Sequence, residues 1–360
     1  MISAALYQPI YLLVVTLMTF FSMSLYGRWG KLISEKNTNQ ILSYLLLFAV
    51  VYFIGTRPIS GKYFTDTSSY SANYELSFNN NFWFNWEADN LIFDNLHNYM
   101  ACNSIPFVKW VMLMSTLYFG LIYVACRKLF KNNVLLAFVM YLGAFSTYSY
   151  STNGVKSGVA ASLFLVAIAY RDKLWLSTPI ALLSYGFHHS MILVIAAYFV
   201  VLLVKNPKYY FWGWIVCLLL AVFHITYFQT YFADFTTEHG SEYLLATEET
   251  GEHMTGFRPD FILYSVVPVY LGYKMLYKYK FKSIIYSFIL RLYITTNSLW
   301  MLCMYANFTN RIAYLSWFIY PIVLLYPFIS REKNQLQGKY LRWVVFGHLG
   351  FTLFMAFIYN

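Results

Sequence analysis

The stretch from Tyr7 to Tyr26, YQPIYLLVVTLMTFFSMSLY, runs through twenty positions without a charged residue. At about 1.5 Å of rise per residue, a helix of that length crosses a hydrocarbon layer of about 30 Å. No basic residue precedes it and no small-residue cleavage site follows it, so it reads as a retained helix and not a signal peptide. Comparable runs recur to the far end of the chain, at 7–26, 41–55, 106–125, 134–150, 155–170, 174–187, 190–204, 211–228, 261–277, 284–305, 312–330 and 341–358. The expectation is an all-α integral membrane protein of about 12 transmembrane helices (10–14), built as a single polytopic domain over residues 1–360. Several runs between 134 and 204 fall short of about 20 residues, which leaves room for tilted or re-entrant segments there.

Composition excludes a soluble alternative. Of the 360 residues 59% are hydrophobic and only 11% charged, less than half the charged share of about 25% in a soluble domain. The formal net charge of +10 argues for membrane topology and not for nucleic acid, because the basic residues fall in short connectors between apolar runs. Arg28, Lys31 and Lys36, then Arg127, Lys128 and Lys131, Arg171 and Lys173, Lys205 and Lys208, Lys274 to Lys282, and Arg331 to Arg342 occupy every second connector. Those connectors mark the cytoplasmic face, which leaves both termini outward. Cys102, Cys126, Cys217 and Cys303 are scattered and make no zinc-ligand spacing or disulfide pattern.

Two outward loops are long, 56–105 and 229–260, and loops of that size carry function more often than connectors do. In the first, Phe82, Trp86, Phe93, Leu96 and Met100 recur at helical spacing and predict an amphipathic helix in the membrane interface. In the second, the acidic run Glu238–Glu252 includes His239 and His253. Glu249 and His253 stand four residues apart, but a solvated acidic loop explains the run better than a metal site, and no metal or cofactor is expected.

Cations on the outward side need a local reason. Arg57 follows the second run, Lys156 lies in Ser-Thr-Asn-Gly-Val-Lys-Ser-Gly, Arg258 precedes the ninth run and Arg311 opens the eleventh. Guanidinium forks bind phosphate oxygens bidentately and Lys supplies a point charge, so these four suit a pyrophosphate; snorkelling to lipid phosphates is the plainer reading of any one of them. His188 and His189, in Gly-Phe-His-His-Ser, stand at an outer mouth where a neutral imidazole can take a proton from a hydroxyl, or simply satisfy a helix turn. Asp66 is a rival base or the start of a polar turn. Asp260, in Arg-Pro-Asp-Phe, is a helix cap or the group that orients Arg258. Arg291 lies inside the tenth run, where its cost demands a protein or water partner.

These pieces resemble the EpsG/Wzy-like family of bacterial exopolysaccharide and O-antigen polymerases. The resemblance rests on Arg57 with Gly61 and Thr65-Asp66-Thr67-Ser68-Ser69-Tyr70, on Asn153-Gly-Val-Lys156-Ser-Gly, on Gly186-Phe187-His188-His189-Ser190, on Gly256-Phe-Arg258-Pro-Asp260-Phe261, and on Asn310-Arg311-Ile-Ala-Tyr314. Where the family often has Arg-Gln, this chain has Lys156-Ser157, which keeps the charge and loses the fork. The resemblance implies a GT-C-like architecture and a glycosyltransferase in the bacterial cell (inner) membrane with its active site toward the periplasm or exterior. Its substrates would be undecaprenyl-pyrophosphate-linked oligosaccharides, one the donor and one the acceptor, with a chain-length regulator and a flippase as partners. In that scheme Arg57, Lys156, Arg258 and Arg311 bind pyrophosphate, His188, His189 or Asp66 serves the acceptor hydroxyl, and Asp260, Tyr70 and Asn153 orient. The alternatives are a lipid-linked glycan flippase, which calls for charges near mid-membrane and repeat symmetry, and a membrane acyltransferase or monosaccharide transferase.

Overall fold

The computed structural model describes residues 2–26, 36–233, 256–330 and 340–358. The basic residues Arg28, Lys31, Arg331, Lys333 and Lys339 lie outside them, as does the acidic run Glu238–Glu252 with His239 and His253. Among the described residues the chain is all-helical, and it forms two compact units, Met1–Met191 with Phe328–Asn360, and Ile192–Pro327. Among the described residues five apolar stretches are long enough to cross a membrane, Ala4–Ser24, Asn37–Gly55, Phe107–Leu142, Thr309–Ile329 and Leu341–Ile358; Val155–Ala169, Leu174–Phe187, Met191–Leu203 and Pro207–Val222 are shorter apolar helices.

In the first unit the helices run α1 (Tyr7–Ser24), α2 (Lys36–Gly55), α3 (Thr65–Ser77), α4 (Leu91–Cys102), α5 (Phe107–Phe130), α6 (Val134–Leu142), α7 (Phe145–Thr152), α8 (Val155–Ala169) and α9 (Leu174–Phe187). Nearly every residue of α8 is buried, as befits a helix that is apolar all round, and it packs chiefly against α5 and α9. The apolar run expected at 134–150 is broken after Leu142. Its second half, Phe145–Thr152, is rich in Ser, Thr and Tyr, whose hydroxyls compete for backbone groups. The break leaves carbonyls that a helix end cannot satisfy itself. Thr147 Oγ1 donates to the carbonyl of Tyr141 at 2.6 Å and Tyr11 Oη to that of Leu142 at 2.8 Å. From a later helix of the same unit, Thr352 Oγ1 donates to Gly143 at 2.7 Å and His348 Nε2 to Met140 at 3.1 Å.

The amphipathic helix expected over 82–100 starts only at Leu91; residues 82–85 are irregular, and turns at 86–87 and 89–90 lead into the helix. Asn95, buried, explains the difference. Its Oδ1 accepts from Asn85 N at 2.7 Å and its Nδ2 donates to Asn85 O at 2.8 Å, which folds the preceding loop back on α4. Phe93 and Met100 are buried within the protein, where α4 meets α3 and α9, whereas Trp83 and Trp86 are 82% and 78% exposed in the loop. The apolar face of α4 is thus covered by its own chain. Gly186 makes the α4–α9 approach close: a Cβ there would stand 2.5 Å from Ile92 Cδ1.

The second unit contains most of α10 (Met191–Leu203), then α11 (Pro207–Val222), α12 (Tyr227–Ala233), α13 (Pro259–Tyr273), α14 (Ile284–Leu302), α15 (Thr309–Trp317) and most of α16 (Tyr320–Ile329); α17 (Leu341–Ile358) returns to the first unit. Its hub is the fully buried Asn297 on α14. The amide accepts from Trp214 Nε1 at 2.8 Å and donates to Ser265 Oγ at 3.0 Å and Ser316 Oγ at 3.1 Å, tying α11, α13 and α15 to α14. Trp317 Nε1 adds a bond to Ser265 Oγ at 2.9 Å. In a medium without water such satisfied networks fix one packing. Arg291 finds its partners in the same unit. Its Nη1 donates to the carbonyls of Val201 at 2.9 Å and Val204 at 2.5 Å, and Nε to Ser287 O at 3.0 Å, so the charge caps the C-terminal end of α10.

Candidate functional site

In the first unit the sequence-predicted residues converge from three directions. Tyr70 lies on α3 and Lys156 in the first turn of α8, and His188 and His189 form the turn after α9. The Lys156 ammonium stands 5.9 Å from the Tyr70 ring centre and 5.6 Å from that of Phe93, a cation held over aromatic faces. Among the described residues no carboxylate pairs with it. Gly154 is the N-cap of α8 and has no side chain to cap it, so the positive end of the helix backs the same ammonium. Asn153, one residue earlier, has a buried Oδ1 without a hydrogen-bond partner.

The aromatic floor was not legible beforehand. Trp110 on α5 is fully buried and touches Tyr70, Phe93, His97 and Phe107, with ring centres 5.1 to 5.6 Å apart. His97 on α4 donates from Nε2 to the Tyr70 carbonyl at 3.1 Å. Burial lowers its pKa, and the Lys156 charge acts the same way, so this imidazole is neutral at pH 7. Asn90, Asp94 and His97 recur at i, i+4 and i+7, a polar stripe on one helix face, and that spacing is the signal by which a sequence reader finds them.

His189 is half-buried against the same stripe. Its backbone N–H and its Nδ1 both lie 3.3 Å from Asn90 Oδ1. The Asn90 backbone N–H donates to Asp94 Oδ2 at 3.0 Å, and its Nδ2 lies 3.4 Å from the same oxygen. Burial lowers the His189 pKa; Lys156 pushes the same way, and Asp89 and Asp94 oppose it. Next to it, His188 Nδ1 accepts from the Ser190 N–H at 3.2 Å, and the two rings are 4.9 Å apart.

Arg57 and Asp66 lie elsewhere in the same unit. Arg57 is 6% exposed; Nη1 donates to Ile54 O at 2.9 Å, and Nη2 to Thr67 Oγ1 at 2.8 Å and Thr152 O at 3.4 Å. Burial pulls its pKa down to about 10, still far above neutrality, so the charge persists and closes the C-terminal end of α7 just before the Lys156 turn. Asp66 sits in the first turn of α3, where a carboxylate is favoured by the exposed N–H groups.

The second unit has a cationic end of its own. Arg258 precedes α13 and makes a bidentate pair with Asp260, Nε to Oδ1 at 3.0 Å and Nη2 to Oδ2 at 2.6 Å. Its guanidinium carbon lies 3.9 Å from the centre of the Phe261 ring, so the fork is held both by charge and by stacking. Phe261 packs on Trp300 and Trp317, and Trp300 Nε1 donates to Thr309 Oγ1 at 2.9 Å. The start of α13, the end of α14 and the start of α15 therefore meet, and α15 carries Arg311, exposed, with its guanidinium 4.8 Å from the Phe308 ring centre. Among the described residues no three His, Cys, Asp or Glu side chains gather as metal ligands do.

Helices of this length and apolarity point to a membrane protein. The sequence pattern of the EpsG family matches residues 44–360, and the chain belongs to that family. Membership suggests a polysaccharide polymerase-like role on lipid-linked substrates, and with the apolar helices a multi-pass membrane protein. No curated protein and no solved structure matches the chain.

Proposed function

We propose that the protein is a polysaccharide polymerase that moves a growing glycan from undecaprenyl pyrophosphate onto the terminal sugar of another lipid-linked repeat unit, at the outer face of the bacterial cell membrane. The observation that carries this reading is the juxtaposition, in one unit, of an ammonium without a carboxylate partner and a neutral imidazole: Lys156 and His189. Transfer from a pyrophosphate-linked sugar needs charge neutralisation for a leaving group that is already good, and a base for the attacking hydroxyl. Both substrates carry a pyrophosphate. Lys156 at the start of α8, and Arg258 and Arg311 in the second unit, supply phosphate contacts, and Asp260 holds Arg258 in its fork. Arg57, wrapped by its own chain, serves by fixing the α7–α8 turn beneath Lys156. Tyr70 and Asn153 shape the same surface, and Asp66 is the alternative base. A site of this kind needs no metal.

The test is polymerisation of lipid-pyrophosphate-linked repeat units by the purified protein in liposomes, compared with Arg258→Ala, Arg311→Ala and His189→Ala. Elongated glycans made by the wild type and lost in folded variants support the reading. No elongation, with lipid-linked glycan still crossing the bilayer, would replace it with a flippase.

A further inference from the structure

We propose that Asn90, itself held by Asp94, is a positioning residue that fixes His189 in the tautomer with a bare Nε2, and that His189, not His188, is therefore the base for the acceptor hydroxyl. This rests on the polymerase reading for its chemistry but not for its geometry.

An amide oxygen only accepts, so a Nδ1 that bonds to Asn90 Oδ1 must carry its hydrogen. The neutral ring then has its lone pair on Nε2. Which end of the amide faces His189 is set from the other side: Asp94, acceptor only, lies against Nδ2, leaving Oδ1 for the imidazole. His188 is held the other way round. Its Nδ1 accepts from Ser190 N–H, so in the neutral ring the hydrogen sits on Nε2 and that atom donates.

A second observation supports a dedicated role for Asn90. It occupies the N-cap of α4, where an Asn side chain ordinarily accepts from N–H groups of its own helix. Here it caps nothing. Its oxygen takes two bonds from His189, a residue 99 positions away, and the side chain is 3% exposed, so little water competes. Gly186 allows the close passage of α4 that this bond requires.

The step balances without a further reactant. The acceptor oxygen forms a bond to the anomeric carbon, the bond from that carbon to the pyrophosphate oxygen breaks with its electron pair leaving on the pyrophosphate, and the hydroxyl proton passes to His189 Nε2. The groups facing that imidazole are Asp89 and Asp94 from α4 and its approach, Lys156 from α8 and His188 from its own turn. The carboxylates favour the imidazolium formed; burial first, and then the ammonium, oppose it and keep the resting ring neutral.

The experiment uses the full chain with ¹⁵N-labelled histidine, the His189 signals assigned by their loss in His189→Gln, and liposome polymerisation followed against pH. In wild type, His189 should show a protonated Nδ1 and a bare Nε2 above pH 7. Asn90→Ala should move population to the other tautomer and slow elongation about 10- to 100-fold. Asn90→Asp keeps the acceptor, so it guards against simple misfolding; its carboxylate raises the imidazole pKa, and the acidic limb of the rate profile should move to higher pH. An Asn90 that does not set the ring would leave the tautomer unchanged in Asn90→Ala. Wild-type elongation with His189 protonated on Nε2, or with the limb unmoved in Asn90→Asp, overturns the positioning role and leaves the polymerase standing. The expected tautomer in a protein that elongates nothing supports the positioning and removes the polymerase.

Discussion

The candidate site residues of the first unit and those of the second handle charge in different ways. Around Lys156 the polar groups are an amine over aromatic rings and neutral imidazoles, with one buried amide linking carboxylate to histidine. Around Arg258 the charge is answered at once by Asp260 and stacked on Phe261, so the fork is rigid before any ligand arrives. A rigid fork suits the capture of a phosphate, and an adjustable amine beside a neutral base suits proton transfer.

Arg258→Ala is the heaviest blow to that contrast. It removes the fork that Asp260 holds, and elongation in liposomes should fall by about 10³-fold, a magnitude typical of losing a preorganised charge contact. Arg258→Lys should recover little of it, because an ammonium cannot make the two parallel bonds. Recovery by Lys to within a few-fold of wild type would mean that the second unit supplies charge alone.

Arg291 tests whether a buried guanidinium always belongs to chemistry. Its bonds go to Val201, Val204 and Ser287 carbonyls at the end of α10. Arg291→Met should cost about 3 kcal/mol of stability, since those buried carbonyls lose charged donors, and turnover per folded molecule should stay near that of wild type. Thermal unfolding in detergent and single-time-point elongation together separate the two. A loss of turnover at unchanged stability would place Arg291 in the reaction.

Gly186→Ala acts on the first unit alone. The added Cβ would meet Ile92 at 2.5 Å, so α4 must draw back from α9 and carry Asn90 away from His189. A stability loss of about 1–2 kcal/mol and a several-fold slower elongation are expected. Ile92→Ala in the same chain should restore both by emptying the contested space. Failure of the double variant to recover would show that the glycine matters for its backbone and not for the gap.

Local order was legible in the sequence, and distant pairing was not. The run expected at 174–187 is the helix Leu174–Phe187, and that at 341–358 is Leu341–Ile358, because unbroken apolarity leaves a chain in lipid no other way to satisfy its backbone. The Arg258–Asp260 pair was equally readable, with partners two residues apart at a helix start. By contrast the polar spacing of Asn90, Asp94 and His97 marks a face and not the partners that give Asn90 and His97 their roles. Their partners stand 99 and 27 positions away, and a polar residue on an apolar helix shows only that some partner exists. The break after Leu142 was hidden for a related reason: apolarity continues across Gly143-Ala144-Phe145, and only the hydroxyl-rich turn beyond it shows where the backbone changes course.

The smallest expected effect is also the sharpest test of how the two regions differ. Lys156 is one of the groups that hold His189 below the ordinary imidazole range, after burial itself. With His189 as the proposed base, elongation should need the neutral ring, so its rate should fall as pH drops through the folded pKa, at a point below about 6.5. Lys156→Gln removes a charge that disfavours the imidazolium, so the folded pKa rises and the acidic limb moves toward neutrality, with a loss at the plateau of about fivefold, the worth of roughly 1 kcal/mol. Lys156→Arg keeps the charge and should leave the limb where it is. If Lys156→Gln leaves the limb where it is, or Lys156→Arg moves it as far as Lys156→Gln does, then the charge of the amine does not set the protonation of the imidazole, and the division of labour between amine and fork fails.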